Sequence, residues 1–163
     1  MSEQTTSPAP LHHQQSIVVH ASAEDLYDLV SDVTRTGEWS PICQACWWDD
    51  ETRPATVGAW FTGRNVTPTR TWETRSQVVA AARGREFAWL VGEGYVRWGF
   101  TLDHGDDGTL LTESWDFLPA GLAFFREKYA DQADAQVQDR TDAALSGIPV
   151  TLAAIKRIAE QGA

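Results

Sequence analysis

A chain of 163 residues with 42% hydrophobic side chains is read as one domain, with enough apolar surface to build a core without disulfide or metal staples. Its 13 basic and 23 acidic residues leave a net charge of −10, which repels phosphate backbones and anionic headgroups and argues against nucleic-acid binding and peripheral membrane docking. No apolar run approaches the ~20 residues a spanning helix needs, so stable membrane insertion is not expected.

Met1 to Gln15 is polar and lacks the apolar centre of a secretory signal. Residues 1–15 are therefore expected as a flexible leader of a cytoplasmic protein, and residues 16–163 as a single domain. Ser16 to His20 is a short β-run. Ser22 then caps a helix, with Asp25 three positions on, and Leu26, Leu29, Val30 and Val33 supply one apolar face. Gly37 and Pro41 break the chain around Trp39 and leave a second short helical turn.

Cys43 and Cys46 form a C-x-x-C. A redox pair wants a helix N-terminus, yet Cys46 runs straight into Trp47-Trp48. Zinc wants two further ligands, and His12, His13, His20 and His104 show no paired spacing at a plausible distance. On a strand, residues three apart face opposite sides, so the pair is expected as two reduced thiols and no metal site.

From Cys43 to Leu118 the apolar period is two. In Tyr95 to Asp103, Val96, Trp98, Phe100 and Leu102 alternate with Tyr95, Arg97, Gly99 and Thr101, which places Arg97 outside. Closing the turn Gly105-Asp106-Asp107-Gly108 sets His104 opposite Thr109, Leu102 opposite Leu111, Phe100 opposite Glu113 and Trp98 opposite Trp115. A two-residue turn at Gly92-Glu93 sets Trp89 opposite Val96 and Phe87 opposite Trp98. Glu73, Arg75 and Gln77 mark a wet face, so Trp72, Thr74, Ser76 and Val78 look inward. Trp60 and Phe61 point opposite ways and either fits the inside, and Trp47 and Trp48 take no assigned face.

After Pro119, Leu122 to Tyr129 forms a lid-like turn or helix. A long helix follows, with Leu145, Ile148, Leu152, Ile155 and Ala159 as the stripe laid on the sheet. Gly147 and Pro149 are expected to weaken or kink it near Ile148. All eight tryptophans lie between Trp39 and Trp115, in the β-region, and none in the helical tail. The fold class is α+β: strand, helix, short helix, about six strands, long helix, with a bent antiparallel sheet enclosing a packed core or a pocket.

Trp72, Phe87, Trp89, Trp98, Phe100 and Trp115 share the inward face. Each large ring buries roughly 150–250 Å², so stability alone accounts for them, and lining a cavity for a flat or greasy ligand accounts for them equally. Thr74, Ser76 and Asn65 also point inward, which suits a wet pocket with an amphipathic guest better than a dry core. Glu113 has Leu111, Trp115 and Phe100 on its face. It is either satisfied by an inward Ser or Arg or by water at the sheet edge, or it is a carboxyl of raised pKa able to act as a catalytic acid/base or to anchor a ligand hydroxyl.

The strings Ala21 to Asp32, Gly37-Glu38-Trp39-Ser40-Pro41, Val57 to Asn65 and Gly84 to Trp89 resemble the START-like helix-grip superfamily. Within it they are similar to the polyketide cyclase/dehydrase and lipid-transport (SRPBCC) branch, over nearly all of Ile17 to Glu160. The resemblance implies about seven curved antiparallel strands wrapped around the long C-terminal helix, two short helices between strands 1 and 2, and a cavity between sheet and helix. It places Trp39 near the cavity mouth. The residues expected to line the cavity are Trp39, Phe61, Asn65, Trp72, Thr74, Ser76, Phe87, Trp89, Trp98, Phe100, Trp115, Leu145 and Leu152. The implied function is binding of a hydrophobic or aromatic, lipid- or polyketide-like molecule by a monomer or homodimer without a cofactor. The alternative is a cyclase or dehydratase in which Glu113 moves protons.

Overall fold

The computed structural model of the protein describes residues 11–161. Seven strands form one antiparallel sheet: β1 (His12–Val19), β2 (Cys43–Trp48), β3 (Trp60–Thr67), β4 (Arg70–Ala82), β5 (Glu86–Val91), β6 (Val96–Gly105) and β7 (Gly108–Phe117). Their order is β1-β7-β6-β5-β4-β3-β2, so six strands meander and the first returns to pair with the last. Between β1 and β2 lie helix α1 (Ala23–Val30) and a 3-10 segment, Val33–Glu38. Two helices close the chain, α2 (Pro119–Tyr129) and the 29-residue α3 (Ala133–Gln161). This is the α+β helix-grip layout.

The local signals act where they were read. The Ser22 hydroxyl accepts the Asp25 N–H at 3.1 Å and caps α1. Gly37 ends the 3-10 segment where a Cβ would stand 2.3 Å from the Gln44 carbonyl oxygen, so only glycine lets this turn lie against β2. The β6–β7 hairpin pairs His104 with Thr109, Leu102 with Leu111, Phe100 with Glu113 and Trp98 with Trp115, in the expected register. Lys156 donates to the Val18 carbonyl at 2.7 Å and to Glu160 at 2.6 Å, which fastens the end of α3 to β1.

Three expectations need correction. Strand β1 begins at His12, not Ser16, because residues 12–19 pair fully along β7; of the expected leader, Met1 to Pro10 lies outside the described residues. The β5–β6 hairpin closes over four residues, Gly92 to Tyr95, with Gly92 and Gly94 at φ 60° and 87°. Trp89 therefore faces Trp98, and Phe87 faces Phe100. Helix α3 continues on both sides of Pro149. Pro149 and Leu145, whose carbonyl loses its partner there, are both exposed, so water can satisfy the freed group. Leu145 itself, 41% exposed, is off the inward stripe.

Curvature comes from two bulges, at Gln44 in β2 and at Val79 in β4. An extra residue bends a strand and increases its twist, which rolls this sheet toward α3. Inside the roll Tyr27, Phe87, Trp89, Phe61, Phe100 and Trp48 form a continuous aromatic chain with centroid spacings from 5.6 to 6.3 Å.

The junction of α2 and α3 is strained. Ala130 holds φ 47° and ψ −116°, a region that costs a side chain on the order of 1–3 kcal/mol. Ala130→Gly is expected to raise stability by about 1 kcal/mol, net of the added freedom of the unfolded chain. A denaturant midpoint equal to or below that of the parent would show that the strain is absent.

Candidate functional site

The sheet does not close on α3. A cavity of about 490 Å³ remains between them, within the usual range for small-molecule sites. Its floor is the inward face of the sheet: Phe61 and Asn65 from β3, Trp72, Thr74 and Ser76 from β4, Phe87 and Trp89 from β5, Trp98 and Phe100 from β6, Glu113 and Trp115 from β7. Trp39, beyond the 3-10 segment, closes one side, and α2 contributes Phe124 and Phe125. The roof is Arg140, Ala143, Ala144, Gly147, Ile148 and Thr151 of α3.

Eleven of the thirteen residues expected on the wall thus line the cavity, and so does Glu113, the candidate acid/base. Leu145 and Leu152 do not. Leu145 faces solvent and Leu152 is buried in the core, because the helix presents 140, 144, 147, 148 and 151 to the hollow. The open faces also resolve. Phe61 and Trp48 are buried, edge to face at 5.6 Å. Trp60 lies outside under the Arg75 guanidinium, 4.2 Å from its ring centre, and Trp47 is exposed.

The polar residues of the floor are Asn65, Thr74, Ser76 and Glu113. Asn65 Nδ2 donates to Thr74 Oγ1 at 3.2 Å, so those two satisfy each other across the β3–β4 ladder. Glu113 is different. It is 4% exposed, flanked on β1 by Gln15 and on β6 by Phe100, and its carboxyl has no hydrogen-bond partner among the described residues. The inward Ser or Arg and the wet sheet edge considered for it are both ruled out by this placement, since β1 covers that side. Burial pushes its pKa up to about 8, so at neutral pH the group is a neutral acid on an apolar wall.

The two cysteines share a face after all. The bulge at Gln44 puts Cys43 opposite Asn65 and Cys46 opposite Gly63, both on the cavity side, with their sulfurs 3.7 Å apart. A Cβ at Gly63 would stand 3.2 and 3.3 Å from the two sulfurs, so glycine leaves the room they occupy. The hydrogen bond from Cys46 lowers the Cys43 thiol pKa, and the same bond, with burial, raises that of Cys46. Both remain free thiols. Among the described residues no group of three or more His, Cys, Asp or Glu side chains is placed to hold a metal ion.

Sequence reasoning missed the cations. Arg70, Lys128 and Arg140 line the cavity, and Arg75 borders it with its guanidinium held by Asp49. Two were legible: Arg70 has the parity of Trp72, Thr74 and Ser76, and Arg140 lies four before Ala144 on the roof stripe. Lys128 carried no such signal. No described helix is long and apolar enough to cross a membrane.

Comparison with known proteins agrees with this geometry. The family model described as polyketide cyclase / dehydrase and lipid transport matches residues 10–147. The solution structure of the polyketide_cyc-like protein Cgl2372 from Corynebacterium glutamicum is 51% identical, with a TM-score of 0.69 and 94% of each chain covered. The di-domain ARO/CYC StfQ from the steffimycin biosynthetic pathway shares the fold at 15% identity and TM-score 0.68, covering 93% of this chain and 51% of that one. A START superfamily protein from Mycobacterium smegmatis is similar at 19% identity and TM-score 0.53, over 80% of this chain and 97% of its own. No curated protein matches the chain. With the family model spanning most of its length and a half-identical relative of the same shape, the chain belongs to the polyketide cyclase / dehydrase and lipid transport family.

Proposed function

We propose that this protein binds a hydrophobic or aromatic small molecule, lipid- or polyketide-like, in the cavity between sheet and C-terminal helix. The observation that carries the reading is the hollow itself: about 490 Å³ walled by Trp39, Trp72, Trp89, Trp98, Trp115 and four phenylalanines of the sheet. Stability alone does not require a core to stop short of its roof, and an empty apolar space costs dispersion energy that a guest restores. Membership of a family that includes lipid transport in its description supports the same reading. The net charge of −10 makes a nucleic-acid partner a poor fit, and a cytoplasmic place of action belongs to this proposal.

Native mass spectrometry of protein from its own host tests it directly: a co-purified organic molecule is expected. Trp98→Ala is the matching substitution. Trp98 is half-buried on the wall, so its loss is expected to weaken binding about tenfold or more while costing on the order of 1–2 kcal/mol of stability. Weakened stability with unchanged affinity would place the guest elsewhere.

One observation favours a second reading, an enzyme of cyclase or dehydratase type. Glu113 presents an unpartnered neutral carboxyl to an apolar cavity, the state a general acid needs at neutral pH. In that reading the wall folds the substrate and Glu113 delivers a proton to a departing hydroxyl or a carbonyl oxygen. With Glu113→Gln, turnover is lost while affinity holds if the enzyme reading is right; if the parent turns over no candidate substrate, the carrier reading stands.

A further inference from the structure

Three of the cavity's cations form a connected rim. The Arg70 guanidinium stacks on Trp72 at 4.3 Å from the ring centre, and Arg140 approaches the same ring at 5.9 Å. Arg140 also lies 5.5 Å from Phe125, whose ring is 5.1 Å from Tyr129, and Lys128 stands 5.2 Å from that Tyr129. Three positive charges from β4, α2 and α3 are thus held on three cavity-lining rings.

In a protein with ten more acidic than basic residues, surface cations ordinarily find carboxylates. Arg64, Arg75 and Arg83 do so, on Glu73, Asp49 and Asp28. Arg70 and Lys128 have no carboxylate partner among the described residues, and Arg140 has only its chain neighbour Asp139. Glu73 also lines the cavity, but Arg64 holds its carboxylate. Aromatic faces orient these cations without neutralising them, which leaves their N–H groups available to an anion.

The rim lies away from Glu113. That residue is in register, through Phe100 and Phe87, with Ala81 near the end of β4, whereas Arg70 begins the same strand. We propose that the guest is amphipathic and anionic: an apolar or aromatic body seated on the tryptophans, with a carboxylate, sulfonate or phosphate oxyanion resting on Arg70, Lys128 and Arg140. This deepens the cavity reading and rests on it. The favoured guests are acids of the lipid or aromatic kind rather than their alcohols, amines or hydrocarbons.

A matched pair of fluorescent probes separates the two ideas: 8-anilinonaphthalene-1-sulfonate, and N-phenyl-1-naphthylamine, the same skeleton without the sulfonate. Titrations into the full chain are expected to show both binding at one site, the sulfonate about tenfold tighter through its charge-assisted contacts. The exposed pair Arg70→Gln with Lys128→Gln is expected to remove that preference, weakening the sulfonate about tenfold and leaving the uncharged probe within about twofold. Added salt is expected to weaken the sulfonate alone. Arg70→Gln by itself is a second variant, at an exposed position. Equal affinity of the two probes for the parent, or equal losses for both in the variants, would overturn the rim and leave the cavity standing. Failure of the uncharged probe to bind the parent would overturn the cavity reading, and the rim with it.

Discussion

Glu113→Gln is expected to remove a dependence of folding stability on pH that the parent shows between about pH 4.5 and 8. The sign follows from which state holds the proton. Below 4.5, the ordinary glutamate value, the carboxyl is neutral both folded and unfolded and contributes no difference. Between 4.5 and about 8 the unfolded chain ionises while the folded chain keeps its proton, so folding takes up a proton and stability falls as pH rises. Above about 8 the folded carboxyl ionises too, and the loss is complete. At about 1.4 kcal/mol per pH unit, the full loss is on the order of 5 kcal/mol. Glutamine has the same shape and no charge, so the difference between parent and variant isolates this group from every other titration. Urea midpoints at pH 5, 7 and 9 measure it. Parallel curves would mean that Glu113 is not desolvated, and both its acid role and its place on the wall would fall. If the protein is an enzyme of the proposed kind, turnover also declines above about pH 8, as the donor loses its proton.

Phe87→Ala is expected to cost about 3–5 kcal/mol of stability, among the larger effects a single side chain can have here. Phe87 is fully buried and touches both sides of the structure. Its ring meets Tyr27 of α1 edge-on at 6.3 Å and Trp89 at 5.7 Å, so it joins the helical layer to the sheet. Removing it opens a void beside the cavity that already exists, and the surrounding rings, held in the bulged sheet, collapse into it poorly. Contrast with Trp98 is the informative part. Both side chains line the hollow, yet one is structural and the other half-buried toward the space, so stability and affinity should separate between the two variants. A Phe87→Ala midpoint within about 1 kcal/mol of the parent would contradict the packing described.

How far the fold could be read ahead of its coordinates depended on where an extra residue fell. The β6–β7 register followed from turn closure alone, because Gly105 to Gly108 left one way to pair alternating rings. At Gly92 to Tyr95 a two-residue turn was read where four residues close the hairpin, and the pairing slipped by two. An even slip keeps every side chain on its face, so the wall residues of β5 and β6 survived the error. The bulge at Gln44 is an odd insertion, and there the reading of Cys43 and Cys46 on opposite faces failed. Leu145 failed for a different reason: a stripe spaced by threes and fours admits two neighbouring alignments, and the sheet selects the one through Ala144 and Ile148. Glu113 was legible as an inward carboxyl, but its isolation was not, since no pattern along the chain counts missing partners.

The spare residue at Val79 has a consequence for how this scaffold can vary. Before it, even-numbered positions of β4 face inward, Trp72, Thr74 and Ser76 into the hollow and Val78 into the core; beyond it Ala81, in register with Phe87, takes that side. The strand changes phase at one residue. Excising Val79 would force either half of β4 to turn inside out, exchanging small methyl groups or exposed charges for the aromatic lining. Length changes in the loops leave the container intact, whereas a single deletion at this point erases its shape.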